Sequence, residues 1–189
     1  KPDKHGDTIG RFTAIEAGRS GETVHGIELG PLGTFTLRVV QPVFDGPALL
    51  GYVELGKEIE DILRSIQARS PNVELAVVIR KEALNRETWE TGMGMLGREA
   101  EWDRLPRSVI IYASQGRLPD AFAPFADHDR ASYHRHGVTE SEIDDGGGKT
   151  WRVTALPLGD VSGTEVGDLL VMNDITALKT AFKRDVTLG

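Results

Sequence analysis

From Thr23 onward the apolar residues fall in short runs between glycines: VHGIEL at 24–29, TFTLRVVQPV at 34–43 and LLGYVEL at 49–55. Runs of this length, rich in Val, Thr and Tyr and bounded by turn residues, predict antiparallel strands. EIEDILRSI follows, with Ile59, Ile62, Leu63 and Ile66 at i, i+3, i+4 and i+7, the spacing that lines one face of an amphipathic helix. Ser70-Pro71-Asn72 interrupts that pattern, and VELAVVI at 73–79 predicts a new strand. Residues 81–97 predict a loose helix with Leu84, Trp89, Met93 and Leu96 on one face, and SVIIYAS at 108–114 another strand. Gly116 to Gly137 is polar and carries no readable period. Ahead of the first strand, KPDKHGD is turn-rich, and Ile9, Phe12 and Ile15 mark a short helix closed by Gly18 and Gly21.

The last forty or so residues repeat the pattern of residues 34–66. After the glycines at 146–148, which read as a turn, come KTWRVTALPL, a loop, and EVGDLLVMNDITALKTAFKRD. At an offset of 116 (Gly167 less Gly51), Ile59 falls on Ile175, Ile62 on Leu178 and Ile66 on Phe182. Arg38 and Pro42 find counterparts in Arg152 and Pro157 when the loops differ by one or two residues. A strand, hairpin, strand, helix unit therefore occurs twice. The fold class this predicts is α+β, two tandem modules, each an antiparallel sheet flanked by helices, over 1–70 and 71–189.

Composition narrows the function. The 29 acidic and 22 basic residues are interspersed, for a formal charge of -7, so no basic stripe invites nucleic acid. Cysteine is absent, which removes thiolate catalysis, Cys-based zinc sites and disulfides. No apolar run reaches the roughly 18 residues of a bilayer span. The chain starts at Lys1-Pro2-Asp3 without methionine and stops just after a basic helical segment, which reads as a piece of a larger protein.

GIELG at 26–30, RVVQPV at 38–43, GYVELG at 51–56 and VGDLLVMNDIT at 166–176, with KPDKHGD at the start, resemble the double Cache (PAS-like) sensor domains of bacterial chemoreceptors, sensor histidine kinases and cyclic-di-nucleotide enzymes. The resemblance implies an extracytoplasmic, ligand-sensing part of a transmembrane receptor in chemotaxis or two-component signalling, on the periplasmic side of the inner membrane. It also implies a homodimer, attachment to the membrane through helices outside 1–189, and a first module that is N-terminally incomplete. The rival reading is a cytoplasmic PAS-like module that binds another protein.

Catalytic signatures are missing. There is no GxxxxGK[ST], GxSxG or HExxH, so the expectation is a non-enzyme without cofactor. Asp127, His128, Asp129, His134 and His136 match no standard metal spacing and have Arg130 and Arg135 beside them, so they read as a solvated loop and no metal site is expected. Strand alternation offers a binding set instead. Arg38 shares a face with Thr36 and Val40, and Tyr52 shares one with Glu54. If those faces coincide, a guanidinium, a carboxylate and an aromatic wall converge in a way that suits a small carboxylate or amino acid. Trp89 is the further candidate wall. A cross-strand Arg38–Glu54 ion pair is the plainer account of the same residues. Asp174 is expected to cap the final helix.

Overall fold

The computed structural model describes residues 10–30, 32–128 and 139–187. The first part runs α1 (Phe12–Ser20), β1 (Val24–Leu29), β2 (Phe35–Asp45), β3 (Ala48–Glu58) and α2 (Ile59–Gln67). Its three strands form an antiparallel sheet in the order β1-β2-β3. The second part runs β4 (Val73–Arg80), α3 (Arg86–Met95), β5 (Ser108–Ala113), α4 (Ala123–Ala126), β6 (Thr139–Asp144), β7 (Thr150–Gly159), β8 (Glu165–Asp174) and α5 (Thr176–Thr187). Here five strands form one antiparallel sheet in the order β5-β4-β8-β7-β6. This is the α+β architecture that the repeat predicts, and β2-β3-α2 and β7-β8-α5 follow one another in the same order.

Both faces of the five-stranded sheet carry apolar side chains because successive residues of its inner strands alternate sides and most are hydrophobic. Leu75, Val77 and Ile79 of β4, with Val109 and Ile111 of β5, pack against Ile59 and Leu63 of α2, Trp89 and Met93 of α3, and Phe35 of the first sheet. Ala76, Val78, Val153, Ala155, Leu170 and Met172 point the other way. They are covered by Leu105, Leu118, Phe122, Phe125 and Ala126 from the segment that crosses beneath the sheet. The two sheets also touch through backbone, Val161 N–H donating to Ile27 C=O at 2.7 Å.

Two elements depart from the sequence pattern. Phe12 and Ile15, the apolar residues that mark α1, are 41% and 60% exposed, whereas Thr13 and Ala17 are fully buried. What turns the helix this way is polar: the Glu28 carboxylate accepts from Phe12 N–H at 2.5 Å and from the Thr13 hydroxyl at 2.8 Å. Strand β6, TESEID, carries almost no apolar signal. Among the described residues it pairs only with β7, at the sheet edge, where polar residues are tolerated.

Candidate functional site

The register of the first sheet brings Arg38, Tyr52 and Glu54 onto one face. Val40 lies opposite Glu54, Pro42 opposite Tyr52 and Arg38 opposite Gly56. In an antiparallel pair, opposed residues point the same way. Arg38 is 11% exposed and is ion-paired to Glu54, with Glu28 3.6 Å from its Nε. Arg11, just ahead of α1, adds a second contact to Glu54 at 2.6 Å. Two guanidiniums and two carboxylates thus neutralise one another under α1, and they clasp that helix to the sheet. Tyr52 stands at the margin of this set, half exposed. Trp89 is not brought to it. That indole is buried among Phe35 and Met93, on the side where the sheets meet, 5.4 Å from the Trp102 ring.

A cavity of about 290 Å³ opens on the covered face of the five-stranded sheet, between the ends of β4, β7 and β8 and the crossing segment. Leu118, Phe122, Trp151 and Met172 give it an apolar lining. Phe122 meets Trp151 edge-on, ring centroids 5.6 Å apart. Polar groups stand at three places, one of them Arg117, whose guanidinium lies 3.6 Å from Asp120 and 3.8 Å from Glu101. Glu74 accepts from the Ser114 hydroxyl and, at 2.5 Å, from the Gln115 amide. Lys149 holds its ammonium 5.2 Å from the centroid of the Trp151 ring and 3.1 Å from an Asp174 carboxylate oxygen.

Local chemistry explains why Lys149 sits there. The Asp145 carboxylate folds the glycine turn by accepting from Gly147 N–H at 2.8 Å and Lys149 N–H at 3.2 Å. Its second oxygen takes the Trp151 indole N–H at 3.0 Å. These bonds, that from Trp151 foremost, hold the Asp145 carboxyl below the usual carboxylate range. Asp174 serves α5 in the same way. It accepts from the Thr176 hydroxyl at 2.6 Å and from Thr176 N–H at 3.0 Å, and its pKa is lowered chiefly by that hydroxyl, with Lys149 adding to the effect. Asp174 thus bonds the first residue of α5, but it stands one position ahead of the N-cap rather than at it as expected; the N-cap falls on Ile175, whose C=O accepts from Lys179 N–H. Thr150 completes the joint: its N–H donates to Thr176 Oγ1 and its C=O accepts from Ile175 N–H, both at 2.9 Å. One wall of the cavity and the root of α5 share these residues.

Polar side chains gather at two further places. A space of about 570 Å³ runs along the edge strand β5, where Arg98 makes a two-point pair with Glu60 and Arg104 bonds Glu101 and Asp120. Burial pushes the Tyr112 phenol there above its ordinary value. Beneath the sheet, Arg80 reaches Glu165 at 2.7 Å and Asp168 at 3.5 Å, and His128 Nε2 lies 3.8 Å from the same Asp168 carboxylate. Asp127 accepts from Arg107 and Ser108 N–H, at 2.6 and 2.9 Å, which ties the crossing segment to β5. Asp129, His134 and His136 lie outside the described residues. Among the described residues no group of three or more His, Asp or Glu side chains is arranged to hold a metal.

Sequence reasoning passed over Lys149 and Glu74. The available signal was the lysine placed between a glycine turn and a strand-initial tryptophan. No helix among the described residues is long and apolar enough to cross a membrane. A family model described as a double sensory domain of two-component sensor kinases matches residues 1–178. No curated protein and no solved structure matches the chain.

Proposed function

The chain belongs to the double Cache sensory domains of two-component sensor kinases, and from that premise we propose that it binds a small carboxylate or amino acid outside the cytoplasm and relays binding through α5. The observation that carries this reading is the shared wall: Lys149 lines the 290 Å³ cavity and contacts the Asp174 carboxylate that bonds the first residue of the terminal helix. A cavity of this size, apolar with a few convergent polar groups, suits a small amphipathic ligand. The ligand's carboxylate would meet Lys149, its amine Glu74, and its side chain the Trp151–Phe122 corner.

The relay follows from competition. A carboxylate drawn to Lys149 weakens the hold of that ammonium on Asp174, and the Asp174 bonds at Thr176 then settle differently against Thr150. Ligand shifts the balance between two α5 placements only by its differential affinity for them. A hundredfold preference supplies about 2.7 kcal/mol, enough to reset a near-balanced pair. The family's sensory role gives no reason to expect catalysis, and the chain acts here as a binding domain.

The test is a thermal-shift screen of residues 1–189 against amino acids, short carboxylates and amines, repeated on Lys149→Ala and Arg38→Ala. A saturable rise in Tm that Lys149→Ala abolishes and Arg38→Ala spares supports the cavity of the second sheet. Loss in Arg38→Ala alone moves the site to the Arg38, Tyr52 and Glu54 set under α1. A well-folded protein that no compound stabilises contradicts the small-molecule reading.

A further inference from the structure

The space of about 570 Å³ beside β5 is lined by more hydrogen-bond donors than its own acceptors engage. Four arginines and three glutamates line it, so the lining carries one more positive than negative charge. Two of the arginines are committed. Arg98 clasps both oxygens of Glu60 and donates to Ile111 C=O, and Arg104 donates to Glu101, Asp120 and Leu118 C=O. The third glutamate, Glu99, is exposed to solvent. Arg64 and Arg117 are held loosely. Each is 60% exposed, and the closest carboxylate oxygen lies 3.5 Å from Arg64 and 3.6 Å from Arg117, so both guanidiniums keep most of their donors for another acceptor.

A further free donor is internal. Tyr112 lines the same space and is only 8% exposed, and its phenol oxygen is enclosed, with no hydrogen-bond partner among the described residues. Buried hydroxyls ordinarily find a partner, and an orphan is destabilising. The charges that act on this phenol are those of Arg64, Glu60 and Glu74, and the first two line the space with it. Burial, the main cause of its raised pKa, keeps the phenol protonated and therefore a donor. Met93, Ile111 and Leu118 add apolar surface to the lining.

We propose that this space is a second ligand site, for an organic acid with a bulky apolar body. The carboxylate draws Arg64 from its long contacts to Glu60 and Asp61 and accepts from that guanidinium and from the Tyr112 hydroxyl. The apolar body lies on Met93, Ile111 and Leu118, and Arg117 adds a second loosely held cation. A space of this volume falls in the range of sites for organic ligands and is about twice the size of the 290 Å³ cavity. The inference does not rest on the ligand proposed for that cavity. The two spaces share Ala113, Ser114, Arg117 and Leu118, whereas Arg64 and Tyr112 line only the larger one, so variants at those two positions separate the sites.

Isothermal titration of residues 1–189 with benzoate, octanoate and naphthoate, and with the uncharged naphthalenemethanol, tests it. The expected result is saturable binding of at least one of the acids and no comparable binding of the alcohol. That binding should weaken about tenfold in Arg64→Ala and in Tyr112→Phe and stay unchanged in Lys149→Ala. Tyr112→Phe keeps the ring and removes an orphan hydroxyl, so it should raise the Tm of the unliganded protein by roughly 2 °C. Absence of saturable binding by any of the acids overturns the inference, as does an affinity that Arg64→Ala and Tyr112→Phe leave intact. A loss confined to Lys149→Ala also overturns it, because the acid would then sit in the smaller cavity. So does a lower Tm in Tyr112→Phe, because the phenol would then have an internal partner.

Discussion

The hairpins β2-β3 and β7-β8 share an order of elements, a glycine at corresponding positions and a following helix, yet they are stabilised by different physics. β7-β8 lies inside a five-stranded sheet with apolar layers on both sides, and its Leu170 and Val153 are completely buried. β2-β3 ends a three-stranded sheet. Its one well-covered polar face is held by the Arg11, Glu28, Arg38 and Glu54 network, and much of its other face is open. Duplication preserves the local pattern that makes a hairpin and a helix. It does not preserve what each hairpin is packed against, and so it does not fix which residues are free to become a site.

The sharpest way to break the comparison is the shared glycine. A Cβ built on Gly167 would lie 2.0 Å from the Val78 carbonyl oxygen, so Gly167→Ala must spread β8 from β4 and should cost about 3 kcal/mol or more. Gly51 has open space around it, and Gly51→Ala should cost about 1 kcal/mol, through its φ of 153° alone. Urea denaturation of the two variants compares them directly; equal losses would mean that the two hairpins are not packed as described.

Leucines sharpen it next. Leu170→Ala empties a fully buried position and should cost about 3 kcal/mol, against under about 0.5 kcal/mol for the exposed Leu55→Ala in residues 1–189. For the polar side, Glu28→Gln removes the charge opposite Arg38 and weakens the anchor of α1. A loss of about 2 kcal/mol is expected, with earlier proteolysis near Phe12 than elsewhere. Lys149→Met, whose ion pair with Asp174 is partly solvated, should change stability by under about 1 kcal/mol while removing the ligand-induced Tm shift.

The smallest expected effect is on acidification. Asp145 and Asp174 have carboxyl pKa values depressed by folding, so the stability they contribute is complete above the unfolded-state value of about 3.9 and is lost as pH falls through their lower folded values. Trp151 donates to Asp145, so its fluorescence should shift toward the red below pH about 4, at the root of α5, before global unfolding. An emission maximum that stays fixed until the whole protein melts would count against this joint as a separate acid-labile element.

Much of the fold is readable from the chain because strand alternation and helical spacing are local properties. TFTLRVV and GYVELG alternate cleanly, so the convergence of Arg38 with Glu54 follows once the hairpin closes. β6 is not readable, since an edge strand needs backbone pairing and little apolar content, and TESEID offers only one large apolar residue. The burial of Trp89 is set by how α3 docks, which no local period reports. The orientation of α1 is decided by Glu28, on a neighbouring strand, against the apolar pattern of the helix itself. Lys149 escapes for a similar reason: its role depends on Asp174, brought near only when β7 and β8 pair.

The joint between cavity and helix is where binding would become a signal, and amide exchange at that joint tests the relay most directly. The amides of Thr150, Ile175 and Lys179, bonded to Thr176 Oγ1, Thr150 C=O and Ile175 C=O, would be followed with and without whichever compound stabilises the protein in the screen. The prediction is a saturable change in their exchange rates that tracks occupancy and is absent in Lys149→Met. A compound that binds the cavity of the second sheet and leaves all three amides unchanged would contradict the relay through α5.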